Sequence, residues 1–456
     1  AFIPRAQRRD ATSVYARSSM SEARQKITGE VQISSALIKD TAASCQNIPQ
    51  LAKRLQNAGE TQVSEVFSLL LACALSFEAS DVHLESLEQD VKIRLRIDGI
   101  LQDVGTIPLK LYESLLSRIK LLSGIKLNVA DRPQDGRFSL ELEGGESLVE
   151  IRSSTLPSEY GESVVLRILN PKSLLTLKDL GLRKDLLDLF TKEIRRPNGM
   201  IIVTGPTGSG KTTTLYAFLK TVQNPEIKII TIEDPIEYHL AGISQTQVHP
   251  EKGYTFASGL AAIVRQDPDV ILVGEIRDGQ TAEIAIQAAL TGHLVFSTLH
   301  TNDAAGTISR LVSLGVQGTT TIASSLNLVI AQRLVRKVCP KCATLSKATE
   351  QELKFIKEAL KEVPRGIKTA VPSGLKLPKA QGCSRCNNTG YKGRIGIFEV
   401  MVVDEKMESY ILTNPSIGEL RGAARKRGMV TIEEDGYLKV VEGITTIQEV
   451  QRVTTG

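Results

Sequence analysis

Two hydrophobic patterns follow one another along the chain and divide it into parts. The first begins with a dense apolar run, VFSLLLACAL at residues 66–75. This run has about half of the roughly 20 residues that a membrane-spanning helix needs, so it predicts a buried core helix. Apolar and polar residues then alternate in VKIRLRID, RFSLELE and SLVEIRSS, which predicts half-buried antiparallel strands. Together these segments predict a small α+β domain over residues 61–170.

The second pattern consists of short, continuous apolar runs with helical segments between them. The runs are MIIVT, IKIITI, VILVG and LVFST. Such runs are typical of parallel strands that are buried on both faces, and they predict an α/β domain over residues 185–456. Pro171 and Gly181 mark a linker over residues 171–184. Residues 1–60 are polar and rich in Ala, Ser and Gln, and we expect them to form an N-terminal arm or linker.

The composition narrows the class of protein. The 456 residues leave room for two or three domains, and a hydrophobic content of 41% is ordinary for globular protein. A net charge of +5 and an aromatic content of 4% oppose a nucleic-acid binder. The N-terminal segment AFIPRAQRRD has no apolar stretch behind its basic residues, so neither a secretory signal nor a membrane segment is visible. We therefore expect a cytoplasmic protein.

The segment GPTGSGKT follows the predicted strand MIIVT and precedes a predicted helix. In such a P-loop, backbone N–H groups and the helix N-terminus hold phosphates, the lysine neutralises charge, and the Ser/Thr hydroxyl contacts Mg²⁺. No guanine-reading NKxD sequence follows, which favours ATP. The predicted nucleotide-binding residues are Gly205, Pro206, Thr207, Gly208, Ser209, Gly210, Lys211, Thr212 and Thr213.

Hydrolysis also requires carboxylates, and candidates follow two of the apolar runs. Glu275 follows VILVG and is placed to hold the water shell of Mg²⁺. Glu237, in TIEDPIEY, is placed to orient or deprotonate the attacking water, with Glu233 and Asp234 as alternatives. His300 follows LVFST in a polar cluster where a γ-phosphate sensor is expected. A solvated or structural role stays open for each of these residues.

Two further groups of residues carry candidate chemistry. Arg152 and Arg167 lie on the predicted strands EIRSS and VVLRIL; if they serve the nucleotide site, they come from a neighbouring subunit, which predicts an oligomer. Two CxxC pairs favour a closed structural zinc site, with redox chemistry as the alternative. Their members are Cys339, Cys342, Cys383 and Cys386, within a predicted zinc-binding segment at 339–390.

These motifs resemble those of the assembly ATPases of bacterial type IV pili and type II secretion systems. The likeness runs from about residue 78 to the end of the chain. EASDVHLE, IRLRIDGIL and RPQDGRFSL resemble the first domain and its connecting strand, and IEDPIEY resembles the family's Asp box. VILVGEIRD resembles its atypical Walker B sequence and GHLVFSTLHTND its His box. The tetracysteine motif is that of the assembly and secretion branch, which disfavours a retraction ATPase.

The resemblance implies a PAS-like N-terminal domain and a RecA-like ATPase domain with an inserted tetracysteine subdomain, assembled as a homo-hexamer. It implies that Glu237 is the catalytic carboxylate, Glu275 the metal-water ligand and His300 the histidine near the γ-phosphate. Arg152 and Arg167 are then donated across a subunit interface. The implied cofactors are ATP, Mg²⁺ and Zn²⁺. The implied partners are an inner-membrane platform protein and a cytoplasmic-ring or bitopic membrane protein, with the enzyme peripheral at the inner membrane.

Some alternatives stay open. The motifs do not separate pilus assembly from secretion. A RecA-like nucleic-acid translocase needs a basic, aromatic groove that the composition opposes, and a nucleotide-binding scaffold without turnover is opposed by the full set of acids, histidine and arginines. The family's helical first N-terminal domain is not recognisable in residues 1–60, which are either truncated or naturally short, so regulation by cyclic di-GMP is not inferred.

Overall fold

The structure is a computed structural model of the chain. It describes residues 29–57, 63–142, 148–170, 174–316, 318–364, 366–367 and 371–455. The chain divides into two compact units, Ala1–Ser173 and Leu174–Gly456, which are described here one at a time. In neither unit does a described helix combine the length and the apolar character needed to cross a membrane.

Unit 1 is built on a seven-stranded sheet with the order β1-β5-β6-β7-β2-β3-β4. The strands are antiparallel except that β1 runs parallel to β5. The strands are β1 (Glu30–Ile33), β2 (Asp81–Ser86), β3 (Asp90–Ile97), β4 (Ile100–Pro108), β5 (Gln134–Leu142), β6 (Leu148–Ser158) and β7 (Gly161–Leu169). The helices are α1 (Ser35–Ser44), α2 (Ile48–Asn57), α3 (Val63–Ser76) and α4 (Leu109–Ser123).

The core of unit 1 lies between one face of this sheet and its helices. Alternate residues of β3 are buried, and Phe67, Leu70 and Leu71 of α3 are fully buried in the same core. The predicted antiparallel strands and the predicted core helix are therefore confirmed. The other face of the sheet carries polar side chains, which leaves it available for contacts outside the core.

Residues 30–57 differ from the expected arm or linker. They form β1, α1 and α2, and Ile33 and Leu51 are buried in the unit 1 core. The apolar residues of α2, Ile48, Leu51 and Leu55, recur at helical spacing and so form one apolar stripe on a polar helix. Because this apolar stripe is narrow, the apolar content of the segment is low, and the sequence pattern did not predict a helix there. Residues 1–28 and 58–60 lie outside the described part of the chain.

Unit 2 is built on a second seven-stranded sheet with the order β10-β9-β11-β12-β8-β13-β16. All neighbours are parallel except β13 and β16. The strands are β8 (Gly199–Thr204), β9 (Ile229–Glu233), β10 (Ser244–Gln247), β11 (Val270–Val273), β12 (Leu294–Leu299), β13 (Leu326–Val338) and β16 (Tyr391–Val402). The four apolar runs of the sequence are confirmed as neighbouring parallel strands, β9, β11, β12 and β8.

Both faces of the unit 2 sheet are covered. Along β8, Ile202 enters one hydrophobic core, whereas Ile201 and Val203 enter the other. The helices are α5 (Lys184–Glu193), α6 (Lys211–Val222), α7 (Phe256–Val264), α8 (Gly279–Leu290), α9 (Ala304–Ser313), α10 (Thr319–Ser325), α11 (Glu350–Ala359), α12 (Glu405–Ile411), α13 (Ile417–Lys426), α14 (Ile432–Val441) and α15 (Ile447–Thr454). The arrangement is a mixed α/β fold, and the carboxyl ends of its parallel strands meet at one edge.

The described part of the expected linker, residues 174–184, belongs to unit 2. A short 3₁₀ helix, Leu177–Leu180, buries Leu177 and Leu180 in one of the unit 2 cores, and α5 begins at Lys184. Residues 171–173 lie outside the described part of the chain. Residues 174–184 of the expected linker are therefore packed within unit 2.

The tetracysteine segment forms a small module whose apolar side chains share a core with the C-terminal helices of unit 2. Its two-stranded antiparallel sheet pairs β14 (Thr344–Lys347) with β15 (Lys376–Lys379), and α11 lies between them in sequence. Ile356, Leu360 and Leu377 are buried together with Tyr437 of α14. This module fixes the position of the four cysteines.

Candidate active site

The P-loop joins β8 to α6, and its backbone requires glycine. Gly205, Gly208 and Gly210 have φ angles of 145°, 79° and 90°. A Cβ atom on Gly205 would lie 2.5 Å from the carbonyl oxygen of Gln332, which belongs to the neighbouring strand β13. The loop therefore keeps its turn only with glycine at these positions.

The start of α6 has the groups that bind phosphate. No side chain caps the helix at Gly210, and the buried hydroxyl oxygen of Ser209 has no hydrogen-bond partner within the described structure. Lys211 Nζ donates to the carbonyl oxygens of Gly205, at 2.8 Å, and Pro206, at 3.3 Å. Because free N–H groups, a spare hydroxyl and a lysine converge here, the residues fit the phosphates of a nucleotide.

Glu275 and His300 follow neighbouring strands of the sheet. Glu275 comes two residues after the end of β11, and His300 directly follows β12. Glu275 Oε2 lies 3.6 Å from His300 Nε2, and Glu275 Oε1 lies 2.5 Å from Arg277 Nη2. The structure thus brings together two residues that the sequence analysis predicted from separate motifs.

Electrostatics tie this pair to the P-loop. Burial lowers the pKa of His300, and the positive charge of Lys211 lowers it further. Burial also lowers the pKa of Lys211, which the carboxylate of Glu275 opposes. The lowered pKa favours the neutral imidazole of His300, which offers one donor and one acceptor beside the P-loop.

The acids at the end of β9 and in the loop after it have different surroundings. Glu233 is buried, and its carboxylate accepts hydrogen bonds from the Tyr216 hydroxyl, from Thr231 Oγ1 at 2.5 Å and from Gln245 Nε2 at 3.2 Å. Glu233 therefore anchors the loop. Asp234 is exposed and lies 3.8 Å from Arg277, and Glu237 lies half-buried further along the same loop. Of the three acids, Glu233 is the least suited to contact water.

Two further side chains at this site, Arg277 and Gln332, were not predicted from the sequence. Arg277 pairs with Asp234 and Glu275 and so connects the loops after β9 and β11. Gln332 is buried on β13, and its Oε1 accepts the Thr214 hydroxyl of α6 at 2.8 Å. The sequence signal for Arg277 was its place two residues after Glu275, whereas no local signal marked Gln332.

The two predicted arginines lie side by side on unit 1. Arg152 of β6 and Arg167 of β7 are directly opposite each other across the strand pair. Arg167 Nε lies 3.0 Å from Asp81 Oδ1, and Arg152 Nε lies 3.3 Å from Glu150 Oε1. Like charges directly opposite each other destabilise a sheet. The carboxylates of Asp81 and Glu150 offset that repulsion.

The four predicted zinc ligands come together within unit 2. The Sγ atoms of Cys339 and Cys383 are 3.9 Å apart, those of Cys342 and Cys386 3.8 Å, and those of Cys383 and Cys386 3.7 Å. All four lie within 4.8 Å of one another. Tetrahedral zinc with bonds of about 2.3 Å separates its sulfur ligands by about 3.8 Å. The N–H of Gly390 also donates to Cys386 Sγ, at 3.3 Å, so the cluster fits zinc.

We expect the purified protein to contain about one zinc ion per chain, as a closed four-thiolate site requires. Cys339→Ser should lose that zinc and lower the melting temperature, because the module has only a small core to replace the metal. Metal analysis and thermal unfolding measure both effects. Cys73→Ala is the matched control, since Cys73 is a buried thiol in unit 1. Unchanged zinc content in Cys339→Ser would contradict this assignment.

Comparison with known proteins identifies the family of this chain. The family model described as "Type II/IV secretion system protein" matches residues 56–452. The chain belongs to this family. Type II secretion system protein E of Pseudomonas aeruginosa is 46% identical over 418 residues, which cover 91% of this chain and 80% of that protein. The type IV pilus assembly ATPase PilB of Myxococcus xanthus is 40% identical over 414 residues, or 91% and 71% of the two chains.

Solved structures of the family share its fold. The pilus retraction motor PilT with bound ADP is 27% identical, with a TM-score of 0.56 over 85% of this chain and 96% of that chain. The ATPase DotB of Legionella pneumophila has a TM-score of 0.60 at 22% identity, over 86% and 95% of the chains. The chain is thus a secretion and pilus ATPase family member, as the motifs predicted, and these relatives are not nucleic-acid translocases.

Proposed function

We propose that this chain is the ATP-hydrolysing motor of type IV pilus assembly or of the related type II secretion pseudopilus. The observation that carries the proposal is the convergence of Lys211, Glu275 and His300 at the carboxyl edge of one parallel sheet, beside an uncapped helix N-terminus. A loop that only binds phosphate does not need a carboxylate and a histidine beside its lysine. An ATPase does, because phosphoryl transfer depends on positioning and charge stabilisation.

Each residue then has a defined task. The P-loop N–H groups, the Ser209 hydroxyl and Lys211 hold the phosphates of ATP. The Thr212 hydroxyl and Glu275 would hold Mg²⁺ and its water shell, and the ion when bound neutralises charge on the β- and γ-phosphate oxygens. Glu237 orients the attacking water and accepts its proton. His300, whose lowered pKa favours the neutral imidazole, is suited to donate a hydrogen bond to the γ-phosphate.

The finer architecture is part of the proposal. The antiparallel sheet of unit 1 with its helices supports a PAS-like domain, and the parallel sheet of unit 2 with its P-loop supports a RecA-like domain carrying a zinc module. We propose that the chains form a homo-hexamer. Arg152 and Arg167 then complete the nucleotide site of a neighbouring subunit, where their positive charges stabilise the phosphates.

The partners follow from the family. A motor of this kind acts at the inner membrane on a platform protein and is held there by a cytoplasmic-ring or bitopic membrane protein. Relatives named for secretion and for pilus assembly are similarly close, at 46% and 40% identity over 91% of the chain in each case. The proposed function therefore includes both filaments.

We expect Mg²⁺-dependent ATPase activity whose rate per chain rises with protein concentration, in step with growth of the particle mass from one chain to six. A ring whose sites are shared between subunits requires this, because a separate chain lacks the neighbouring arginines. Steady-state ATPase assays and light scattering on the same samples measure it. A rate independent of concentration would contradict the shared site, and stimulation by single-stranded DNA would favour the translocase.

A further inference from the structure

Arg333 lies on β13 beside the P-loop, where no motif placed a functional residue. β13 runs parallel to β8, with Ala331 opposite Thr204, the last residue of β8. The next residues of β13 therefore continue alongside the P-loop. A Cβ atom on Gly205 would lie 3.1 Å from Arg333 Nη1, which places the guanidinium against the first residue of the loop.

The guanidinium of Arg333 joins two backbone segments. Its Nη1 donates to the carbonyl oxygen of Gln332 at 3.1 Å, and its Nη2 donates to that of Asn302 at 3.1 Å. Gln332 contacts the P-loop and α6, whereas Asn302 stands two residues after His300. One planar side chain thus links β13, which borders the P-loop, to the loop that carries His300.

Arg333 has no ion-pair partner to explain its position. Within the part of the chain that the structure describes, no carboxylate lies within 4.0 Å of its half-buried guanidinium. Glu399 and Asp303 act on its charge only from further away. Its charge also lowers the pKa of Lys211, so the two cations are close to each other. Since none of the described carboxylates contacts the guanidinium, its two hydrogen bonds to backbone carbonyl oxygens determine its position.

Other groups also anchor the loop that carries His300, so the folding of this loop does not depend on Arg333 alone. The N–H of Thr301 donates to Thr204 Oγ1 at 2.8 Å, and the N–H of Ala304 donates to Glu399 Oε1 at 3.0 Å. Asp303 pairs with Arg421 at 2.5 Å. These contacts keep the loop folded without Arg333. Because Thr204 directly precedes the P-loop, its contact with Thr301 already ties the loop to that edge, and the contact of Arg333 with Asn302 adds a second tie.

We propose that Arg333 is a positioning residue for ATP hydrolysis, which fixes His300 at the distance that its contact with the γ-phosphate requires. This inference rests on the role proposed above for His300. Arg333 acts through the Asn302 carbonyl and not by contact with ATP. Since a misplacement of about 1 Å can cost about 10²-fold in rate, losing the link should be felt in kcat.

The test compares Arg333→Gln, Arg333→Lys and His300→Ala with the double variant Arg333→Gln/His300→Ala. We expect Arg333→Gln to lower kcat by about 10²-fold with KM for ATP nearly unchanged. Arg333→Lys should restore little, because one ammonium group does not reproduce the planar fork that reaches both carbonyls. The double variant should be no slower than His300→Ala alone, since Arg333 acts through His300.

Several outcomes would overturn the proposal. A raised KM that Arg333→Lys partly restores would mean that Arg333 binds phosphate directly. Losses that multiply in the double variant would mean that the two residues act independently, and unchanged kcat would mean that the link has no role.

Arg427→Gln, which removes an arginine paired with Asp404, is the matched control. Melting temperatures separate misfolding from these effects, with Arg333→Lys deciding if the glutamine variant is unstable. An inactive wild type would instead refute the proposed function.

Discussion

Replacing Glu237 by glutamine is expected to lower ATP turnover by about 10²- to 10⁴-fold, the usual contribution of a positioned general base. Glutamine keeps the size of the side chain but does not accept the proton of the attacking water. Nucleotide affinity should stay close to that of the wild type, because the P-loop groups that bind phosphate are unchanged. Steady-state ATPase assays give the turnover, and binding of a fluorescent ATP analogue gives the affinity.

Asp234→Asn provides the matched control for this prediction. Asp234 lies in the same loop and is exposed, and its contact with Arg277 is long, at 3.8 Å. Losing one carboxylate there changes the local charge by the same amount, and we expect turnover to stay within a few-fold of the wild type. If Asp234→Asn were inactive and Glu237→Gln active, the base would be Asp234. Equal, mild losses in both variants would remove a carboxylate base from the loop after β9.

The place of the candidate nucleotide site in the fold was predictable where its motif lies in consecutive residues. The P-loop lies between a predicted strand and a predicted helix, so its local context was complete in the sequence. The proximity of Glu275 and His300 was predictable because both follow apolar strands, and the carboxyl ends of parallel strands share one edge. Their separation of 3.6 Å follows from the strand order, which places β11 beside β12.

Contacts made across long sequence separations were not predictable. The Gln332 side chain meets Thr214 over 118 residues, and Arg333 meets Asn302 over 31 residues. β13 carries buried apolar residues along most of its length, so its polar members look like interruptions until the neighbouring strand is known. The short helices of residues 35–57 were not predicted for a related reason, since each offers few apolar residues and gains its stability from packing.

Arg152→Ala is expected to reduce the ATPase rate by about 10³-fold or more, the usual effect of removing an arginine that stabilises phosphoryl transfer. Lys211→Ala should be similarly inactive because it removes the charge that binds phosphate. The two variants should nevertheless restore activity when mixed. Each supplies what the other lacks if the arginine of one chain serves the P-loop of its neighbour.

The recovered activity in such a mixture has a definite size. With equal amounts mixed as separate chains and then concentrated, random assembly into a ring with head-to-tail interfaces makes about one quarter of the sites intact. We therefore expect about one quarter of the wild-type rate per chain if the sites act independently. The double variant Arg152→Ala/Lys211→Ala mixed with either single variant should restore nothing. Rings of full mass without recovery would place Arg152 in the site of its own chain, because then no mixture contains an intact site.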